Sequence, residues 1–328
     1  MGTTHAYDVV IVGAGPAGMC AALYTGRSML KTAVLERGIP GGELLNPEKL
    51  DDWIGEKSIL GWELAKKFEE HSREFGAEFV TANVTCVTRR DDGTFDTATD
   101  TGDVYQSPAV IITAGGTPVK LGVPGEIEYA GKGVSYCAIC DGAFFKQQAI
   151  AVVGGGDAAV EEADFLTRYA SKVYVIHRRG EFRASRILQD RLRANPKVEV
   201  LWNTVVDEIR GDGQGLMNGL VIRDVSAGTV RTLDATGCFV FVGFRPNTGI
   251  IDGHFDHDEM GYVRTDTSMH TSIAGLFAAG DLRSQLTRQV TTAVGDATTA
   301  AIAVEKYLKA RAEGGHAIAP QGSGGYAV

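Results

Sequence analysis

Val9-Val10-Ile11-Val12-Gly13-Ala14-Gly15-Pro16-Ala17-Gly18 decides the fold near the start of this 328-residue chain. The apolar, β-branched run predicts a buried parallel strand over Tyr7 to Val12, and the Ala-rich stretch from Pro16 to about Arg27 predicts a helix. Three glycines at this spacing allow a tight bend, backbone approach to a phosphate and packing of the helix on the strand. The stretch therefore predicts a dinucleotide-binding β-α-β unit.

An acidic residue follows the next predicted strand, which runs from Lys31 to Leu35 and ends at Glu36. In this place a carboxylate can accept a hydrogen bond from an adenosine ribose hydroxyl. Glycine clusters also mark ordinary turns. The strand before this cluster, the helix after it and the acid downstream nevertheless favour a nucleotide site.

A second turn, Gly154-Gly155-Gly156-Asp157-Ala158-Ala159, repeats the pattern after a strand predicted over Ala149 to Val153. Its next strand, Lys172 to Ile176, ends in His177-Arg178-Arg179, with Arg183 close behind. Arginine can bind a 2′-phosphate through two hydrogen bonds, whereas an acid in this place suits a free 2′-hydroxyl. A solvated basic edge is the alternative, but the ribose-reading position favours a site for NADPH.

Cys137-Ala138-Ile139-Cys140-Asp141 lies between the two glycine turns. This spacing has three interpretations: a zinc site, a buried inert pair and a redox-active pair. Zinc needs two further ligands, but the other cysteines, Cys20, Cys86 and Cys238, are isolated and predicted to be buried, so no metal is expected. An inert pair does not need a neighbouring acid, whereas Asp141 can carry the proton of thiol–disulfide exchange. The redox pair is therefore favoured.

The order of elements predicts a discontinuous first domain. Short antiparallel strands are expected over Phe79 to Arg89, Thr94 to Thr99 and Asp103 to Tyr105, with a turn at Asp91-Asp92-Gly93. The late strand predicted over Leu276 to Asp281 ends in an acid and resembles the closing strand of the first domain. A long helix is predicted from about Thr291 to Arg311. A carboxylate after that strand lies on the usual ligand side of such sheets.

The predicted fold class is therefore α/β, with two Rossmann-like, three-layer ββα dinucleotide-binding domains, one inserted into the other. We expect residues 1–116 and 247–313 to form the outer domain and residues 117–246 to form the inserted domain that carries the CxxC motif. Residues 314–328 are rich in Gly, Ala, Ser and Pro and are predicted to be a disordered tail.

Composition describes an ordinary globular enzyme, with 44% hydrophobic and 22% charged residues. The net charge of −9 argues against a nucleic-acid surface. The N-terminus lacks the features of a secretory signal, and no apolar run is long enough to span a bilayer. The expectation is a cytoplasmic protein without a membrane or nucleic-acid partner.

The chain also resembles the low-molecular-weight, bacterial-type thioredoxin reductases over residues 5 to about 311. The dithiol inside the NADPH domain distinguishes that family from the larger disulfide reductases, in which it lies in the FAD domain. The matching segments are Gly13–Gly18, Gly41–Gly42, Cys137–Gly142, Gly154–Glu162, His177–Arg179, Phe182–Ala184, Gly243–Thr248, Phe277–Asp281 and Arg288–Val290.

This resemblance implies a homodimer with FAD in each discontinuous domain. Electrons would pass from NADPH to FAD, to the Cys137–Cys140 disulfide and then to thioredoxin or a thioredoxin-like protein. The family pattern places Cys140 toward the flavin, Cys137 as the nucleophile toward the protein substrate, and Asp141 as the proton donor. It also implies that the NADPH domain rotates about links near Thr117 and Asn247.

The turns and the resemblance together predict the cofactor-binding residues. The FAD set is Gly13, Gly15, Pro16, Ala17, Gly18, Glu36, Arg37, Gly42, Glu43, Leu44, Asp52, Val84, Ala114, Gly115, Gly280, Asp281, Arg288, Gln289 and Val290. The NADPH set is Gly154, Gly156, Asp157, Ala158, Ala159, His177, Arg178, Arg179 and Arg183.

Three residues depart from the family pattern, and each adds a negative charge. Glu43 replaces the glutamine usual beside the flavin, where a carboxylate would disfavour the anionic reduced flavin and lower its potential. Asp52 stands where the family often has Asn, and Asp157 replaces a common Asn or Ser at the NADPH turn. None of these changes removes a catalytic atom.

The sequence also leaves alternatives for the function. A flavin-dependent dithiol oxidase would pass electrons to oxygen, and a degraded NADPH motif would favour it. A reductase of a thioredoxin-like protein other than thioredoxin shares every motif. A non-catalytic redox sensor would not explain two complete nucleotide sites.

Overall fold

The computed structural model describes residues 2–45, 49–50, 52–213 and 215–314. In chain order the strands are β1 Thr4–Ala6, β2 Val9–Val12, β3 Thr32–Glu36, β4 Lys49–Leu50, β5 Ile59–Leu60, β6 Glu78–Thr81, β7 Val84–Arg89, β8 Phe95–Thr99, β9 Val104–Ser107, β10 Ala109–Ile112, β11 Gly116–Pro118, β12 Val134–Ser135, β13 Ala149–Gly154, β14 Lys172–Ile176, β15 Val198–Leu201, β16 Thr204–Gly211, β17 Met217–Asp224, β18 Val230–Asp234, β19 Gly237–Phe241, β20 Phe244–Pro246 and β21 Leu276–Ala278. The α-helices are α1 Pro16–Arg27, α2 Gly61–Arg73, α3 Ala138–Asp141, α4 Asp157–Leu166, α5 Arg186–Ala194 and α6 Val290–Ala312, with 3-10 turns at Gly42–Leu45 and Gly142–Phe145.

Backbone contacts divide the chain into two compact units. The first holds the residues up to Leu45, Trp53–Thr117 and the chain from Arg245 onward. The second holds Pro118–Phe244 and the short segment that ends at Asp52. The chain therefore leaves the first unit within β11 and returns to it within β20.

The first unit is built on a parallel sheet with the order β21-β10-β2-β3-β6. Its strands are apolar on both faces because both faces are covered. Val9 and Ile11 point to one face, where they join a core with buried alanines of α1 and α6. Val10 and Val12 point to the other face, where they pack with residues of β7, β8 and β9. The unit thus has three layers, in the order antiparallel strands, parallel sheet and helices.

The second unit repeats this layering around a parallel sheet with the order β12-β19-β13-β14-β15. Ile150 and Val152 of β13 pack with the buried apolar residues of α4 and α5. Ala151 and Val153 pack against the antiparallel sheet β16-β17-β18. The predicted fold class, two α/β units on parallel sheets, is confirmed.

Several predicted elements agree with the structure in detail, including α1 and β14, and the long C-terminal helix is α6. The expected turn before Thr94 is present, with Gly93 at a φ of +77°. Other predictions need correction. The first predicted strand begins at Val9 rather than Tyr7, and the separate strand β1, which pairs with β9, was not predicted. Helix α4 ends at Leu166 rather than Tyr169, and α5 and β16 were not predicted. The tail assigned to 314–328 lies, beyond Gly314, outside the described residues.

Candidate active site

The first glycine turn connects β2 to α1 and leaves room for a ligand at one position only. Gly13 has a φ of +99°, and a Cβ there would lie 2.7 Å from the carbonyl oxygen of Thr113. A Cβ on Gly18 would overlap the carbonyl oxygen of Gly13. Gly15, which caps α1 without a side-chain hydrogen bond, has only Gly42 Cα near its Cβ position, at 3.9 Å. Gly13 and Gly18 therefore serve packing, whereas Gly15 leaves the N-terminus of α1 accessible, as a pyrophosphate requires.

Replacing these glycines by alanine should therefore have two different effects. Gly18→Ala is expected to lower the free energy of unfolding by about 3 kcal/mol, because the new methyl group overlaps backbone. Gly15→Ala has space for its methyl group and is expected to keep the fold while weakening retention of FAD. Thermal unfolding and the FAD content of the purified variants separate the two effects. Equal loss of stability in both variants would contradict this assignment.

Glu36 lies at the end of β3, where the sequence predicts a ribose-binding acid. Its Oε2 accepts a hydrogen bond from Ala14 N at 2.8 Å, and its Oε1 accepts one from Gly38 N at 3.0 Å. The carboxylate therefore holds the glycine turn, and each oxygen has a further lone pair for a ligand hydroxyl.

The Gly41–Gly42 loop approaches the same turn. Gly41 N donates to Ala14 O at 2.8 Å. A Cβ on Gly42, whose φ is +56°, would lie 3.1 Å from the Cα of Gly15. Glu43 and Leu44 follow in a 3-10 turn, with Leu44 buried and Glu43 exposed. The loop brings these predicted FAD residues to the edge of the first turn.

Asp281 follows β21 and belongs to the same edge of the parallel sheet. Burial raises the pKa of its carboxyl to about 6, and the positive charge of Arg288 partly offsets that effect. The charge of Glu43 adds to the rise in this pKa. A Cβ on Gly280 would lie 3.1 Å from Ala17 Cβ, so this strand end also approaches α1.

An ion pair not predicted from the sequence supports this strand end. Arg283 Nη1 and Asp296 Oδ1 are 2.7 Å apart, and both side chains are largely buried. The other oxygen of Asp296 accepts from Gly280 N at 3.2 Å. The two residues are 13 positions apart and lie in different elements, so no local motif reveals them.

The remaining predicted FAD residues lie in the first unit, with the exception of Asp52, which belongs to the second. Ala114 and Gly115 follow β10, and Asn247 Nδ2 donates to Ala114 O at 2.7 Å. Gln289 caps α6, and its backbone N–H donates to Thr292 Oγ1 at 3.0 Å. Val84 is buried in the core, whereas Pro16 and Ala17 begin α1, Val290 begins α6, and Arg37 and Asp52 are exposed.

The second glycine turn connects β13 to α4. A Cβ on Gly154 would lie 2.5 Å from both Ala159 Cβ and Phe241 O, so that glycine and the small Ala159 are required together. Gly156 caps α4 without a side-chain hydrogen bond and has open space at its Cβ position. This turn therefore also presents a free helix N-terminus to an anion.

His177 and Asp157, both predicted NADPH ligands, are engaged with the protein itself. The ring of His177 is only 6% exposed, with Nδ1 2.9 Å from Gly154 O and Nε2 2.9 Å from Glu181 O. Burial lowers the pKa of this imidazole. Asp157 Oδ1 accepts from Ser185 N at 2.6 Å. Both side chains join the loop after β14 to the glycine turn.

The three predicted phosphate-binding arginines, Arg178, Arg179 and Arg183, are exposed on that loop. Within the described part of the chain, none of them forms an ion pair with an acidic side chain. Their charges are therefore available to an anionic ligand beside the second turn.

Cys137 and Cys140 form a disulfide at the start of the short helix α3. Both residues are partly exposed. The Sγ of Cys137 accepts a hydrogen bond from Cys140 N at 3.2 Å. Ser135, which the sequence did not single out, accepts from Cys137 N at 3.1 Å and donates to Cys137 O at 3.2 Å. These two hydrogen bonds of the Ser135 side chain hold the backbone of Cys137, whose side chain is partly exposed to solvent.

Asp141 lies at the end of α3 and is 5% exposed. Burial raises the pKa of its carboxyl to about 6, the Ser135 hydroxyl lowers that pKa, and the charge of Asp52 raises it further. Its Oδ1 has no hydrogen-bond partner among the described residues. A buried carboxyl with one unpartnered oxygen and a pKa of about 6 suits proton transfer.

The other cysteines correct one prediction. Cys238 is fully buried in the second unit, as predicted, but Cys20 and Cys86 are partly exposed. Each of the two has a local polar contact instead: Cys20 Sγ donates to Val294 O at 3.3 Å, and Cys86 Sγ lies 3.4 Å from Thr88 Oγ1.

The described residues contain no group of three or more His, Cys, Asp or Glu side chains that could hold a metal ion. Among the helices of those same residues, none combines the length and apolar character required to cross a membrane.

Two nucleotide-type turns and a disulfide on a pair of α/β units define a class, the disulfide oxidoreductases that use pyridine nucleotides. A sequence model described as pyridine nucleotide-disulphide oxidoreductase matches residues 7–297. The chain belongs to this family.

Within this family, the chain is similar to individual thioredoxin reductases. Thioredoxin reductases of Listeria monocytogenes and Bacillus subtilis are each 45% identical over 303 residues, which cover 92% of this chain and 94% and 95% of the respective relatives. The crystal structure of thioredoxin reductase from Streptococcus pyogenes superposes with a TM-score of 0.89 at 44% identity, covering 93% of this chain and 99% of that one. The chain is therefore similar to bacterial thioredoxin reductases over nearly its whole length.

Proposed function

We propose that this protein is an NADPH-dependent flavoprotein that reduces the disulfide of thioredoxin. The observation that carries the proposal is the Cys137–Cys140 disulfide, at a partly exposed helix start in the unit that also holds the second nucleotide turn. The similarity to thioredoxin reductases over 92% of the chain supports this choice of substrate.

FAD fits the first unit. The open space at Gly15 suits a pyrophosphate, and the free lone pairs of Glu36 suit a ribose hydroxyl. The edge formed by Glu43, Asp281 and the Gly41–Gly42 loop would hold the remainder. When bound there, FAD supplies the two-electron chemistry between NADPH and the disulfide. The protein residues bind and orient it.

NADPH fits the second unit. Gly156 leaves the N-terminus of α4 open to a pyrophosphate. Arg178, Arg179 and Arg183 supply unpaired positive charge for a 2′-phosphate. The oxidase alternative loses support because this turn retains its open glycine and its arginines.

The dithiol form of the protein performs the exchange itself. The Cys140 N–H at 3.2 Å from Cys137 Sγ favours the thiolate of Cys137, which makes this sulfur the nucleophile. Cys137 attacks the disulfide of the protein substrate and forms a mixed disulfide, and one substrate sulfur leaves as a thiolate. Cys140 then attacks Cys137, which restores the intramolecular disulfide and releases the second substrate thiolate. Asp141 supplies the proton for a departing thiolate.

The assembly and location are part of the same proposal. We assign a homodimer, a cytoplasmic location and thioredoxin, or a thioredoxin-like protein, as the partner on the basis of the similarity to thioredoxin reductases. The assignment of FAD to the first unit and NADPH to the second rests on the same similarity and on the turns described above.

A steady-state assay with NADPH or NADH and a panel of small dithiol proteins tests the proposed function. The expected result is reduction of a thioredoxin disulfide that prefers NADPH. Peroxide formation with oxygen, without reduction of any protein disulfide, would instead establish the oxidase. Reduction confined to a different member of the panel would correct the partner.

Replacing both Arg178 and Arg179 with alanine should weaken NADPH binding about 100-fold and leave NADH nearly unchanged, since two charge-assisted contacts to the 2′-phosphate are lost. Michaelis constants for both nucleotides measure the effect. The matched control is the double replacement of Arg191 and Arg193, two exposed arginines of α5, by alanine. Equal losses for NADPH and NADH in the first variant would remove the 2′-phosphate role.

A further inference from the structure

The ring of His177 lies under the loop that carries the three exposed arginines. It is buried between the glycine turn and this loop, with one nitrogen at Gly154 O and the other at Glu181 O, each 2.9 Å away. The contact at Gly155 is so close that a Cβ on that residue would overlap the imidazole. Solvent and ligand can reach the arginines, but the imidazole has little free surface.

The loop is fastened to the glycine turn along its length. At its far end Arg183 N donates to Gly155 O at 2.8 Å, and Ser185 N donates to Asp157 Oδ1 at 2.6 Å. At its middle, Glu181 O meets Nε2 of His177. Phe182, whose ring lies 4.5 Å from that of Trp202, also anchors the segment between Arg179 and Arg183 by packing. The imidazole adds the side-chain hydrogen-bond contact to the backbone of that segment, at Glu181 O.

A neutral imidazole carries a single N–H, so one of its two nitrogens donates and the other only contacts a carbonyl oxygen. Two carbonyl oxygens favour a charged ring, whereas burial and the neighbouring Arg179 and Arg178 disfavour it. The neutral ring therefore donates its single N–H either to Gly154 O on the turn or to Glu181 O on the loop.

We propose that His177 is a positioning residue for nucleotide selectivity, which donates from Nε2 to Glu181 O and holds Arg178, Arg179 and Arg183 in place for a 2′-phosphate. It does not bind the phosphate itself, in contrast to the role expected from the sequence. This inference rests on the proposed function, because it assumes that the second unit takes NADPH.

Two substitutions of His177 distinguish the contact of Nδ1 with Gly154 O from the contact of Nε2 with Glu181 O. The amide of Asn reaches about as far as Nδ1 and can still donate to Gly154 O, but it is too short for Glu181 O. The amide of Gln reaches about as far as Nε2 and can replace the bond to Glu181 O. His177→Asn should therefore lose the hydrogen bond to Glu181 O that holds the loop, whereas His177→Gln should largely keep it.

The measurement is calorimetric binding of two probes to the FAD-loaded full-length protein. Adenosine 2′,5′-bisphosphate and adenosine 5′-monophosphate differ only in the 2′-phosphate. For His177→Asn we expect about tenfold weaker binding of the bisphosphate and little change for the monophosphate, which corresponds to one charge-assisted contact. For His177→Gln we expect binding of both probes close to that of the parent protein.

The matched control is His270→Asn, the same substitution at a partly buried histidine of the first unit, whose Nδ1 lies 3.0 Å from Asp266 Oδ2. It should leave the ratio of the two affinities unchanged. Equal losses of both probes in His177→Asn, or no loss, would overturn the inference. If the Arg178 and Arg179 double variant also keeps its bisphosphate affinity, the proposed NADPH site itself fails. If only that double variant loses it, the failure concerns His177 alone.

Discussion

The Cys140→Ser variant is expected to lose thioredoxin reduction by about 1,000-fold or more while its flavin absorbance still falls on addition of NADPH. Removing one sulfur eliminates the intramolecular disulfide that accepts and returns two electrons. Flavin reduction does not involve that sulfur, so the first half of the reaction should persist. Stopped-flow absorbance and a steady-state thioredoxin assay measure the two halves separately.

The same variant also tests the role of Cys137. Without Cys140 to resolve it, a mixed disulfide between Cys137 and one substrate cysteine should accumulate and be visible by intact mass. Cys86→Ser is the matched control, because Cys86 is partly exposed and lies in the other unit. Sustained thioredoxin reduction by Cys140→Ser would refute the proposed electron route. A mixed disulfide absent even with excess oxidised thioredoxin would refute the nucleophile assignment.

The sequence predicted those parts of the site that depend on local chain geometry. A strand, a glycine turn and a helix follow one another within about 20 residues, so the turns at Gly13 and Gly154 and the bounds of α1 could be predicted. The CxxC motif is also local, and its disulfide is present in the structure. Each of these features requires only residues that are neighbours in the chain.

Features that depend on contacts between distant segments could not be predicted in the same way. His177 follows a strand at the position of a phosphate ligand, and only the fold shows that Gly155 and Glu181 enclose its ring. The ion pair between Arg283 and Asp296 stabilises the strand end before Asp281 from two separate elements. In both cases a charged or polar side chain forms a hydrogen bond with the backbone of a distant segment. The spacing of residues in the sequence does not predict such a contact.

Secondary structure shows the same division. Helix α5 is only nine residues long, with Leu192 its buried residue, and it lacks a preceding glycine turn of the kind that marks the start of α1. Strand β16 carries three charged residues, Asp207, Glu208 and Arg210, among its eight, and it is its pairing with β17 that makes it a strand. Cross-strand pairing, which the local sequence does not contain, decides the second case.

The Asp141→Asn variant is expected to be more stable than the parent protein at pH 8 and about 100-fold less active. Burial raises the pKa of this carboxyl from 3.8 to about 6. The charged form is therefore disfavoured in the folded state, and stability falls as pH rises from about 4 through about 6. The shift corresponds to about 3 kcal/mol at most, and Asn, which does not ionise, escapes it.

The sign of the pH dependence distinguishes this effect from a simple packing change. Below about pH 4 the parent carboxyl is neutral in both states, so the two proteins should be equally stable there, and the difference should grow toward pH 8. Asp190→Asn, the same change at an exposed acid of α5, should show no such growth. Chemical denaturation at several pH values measures the difference.

Thioredoxin turnover across the same pH range should show an inflection near pH 6 in the parent protein, and Asp141→Asn should lack it. A stable variant with full activity would show that the buried carboxyl has no part in proton transfer. The expected combination of higher stability with lower turnover instead identifies a carboxyl whose burial costs stability and serves the reaction.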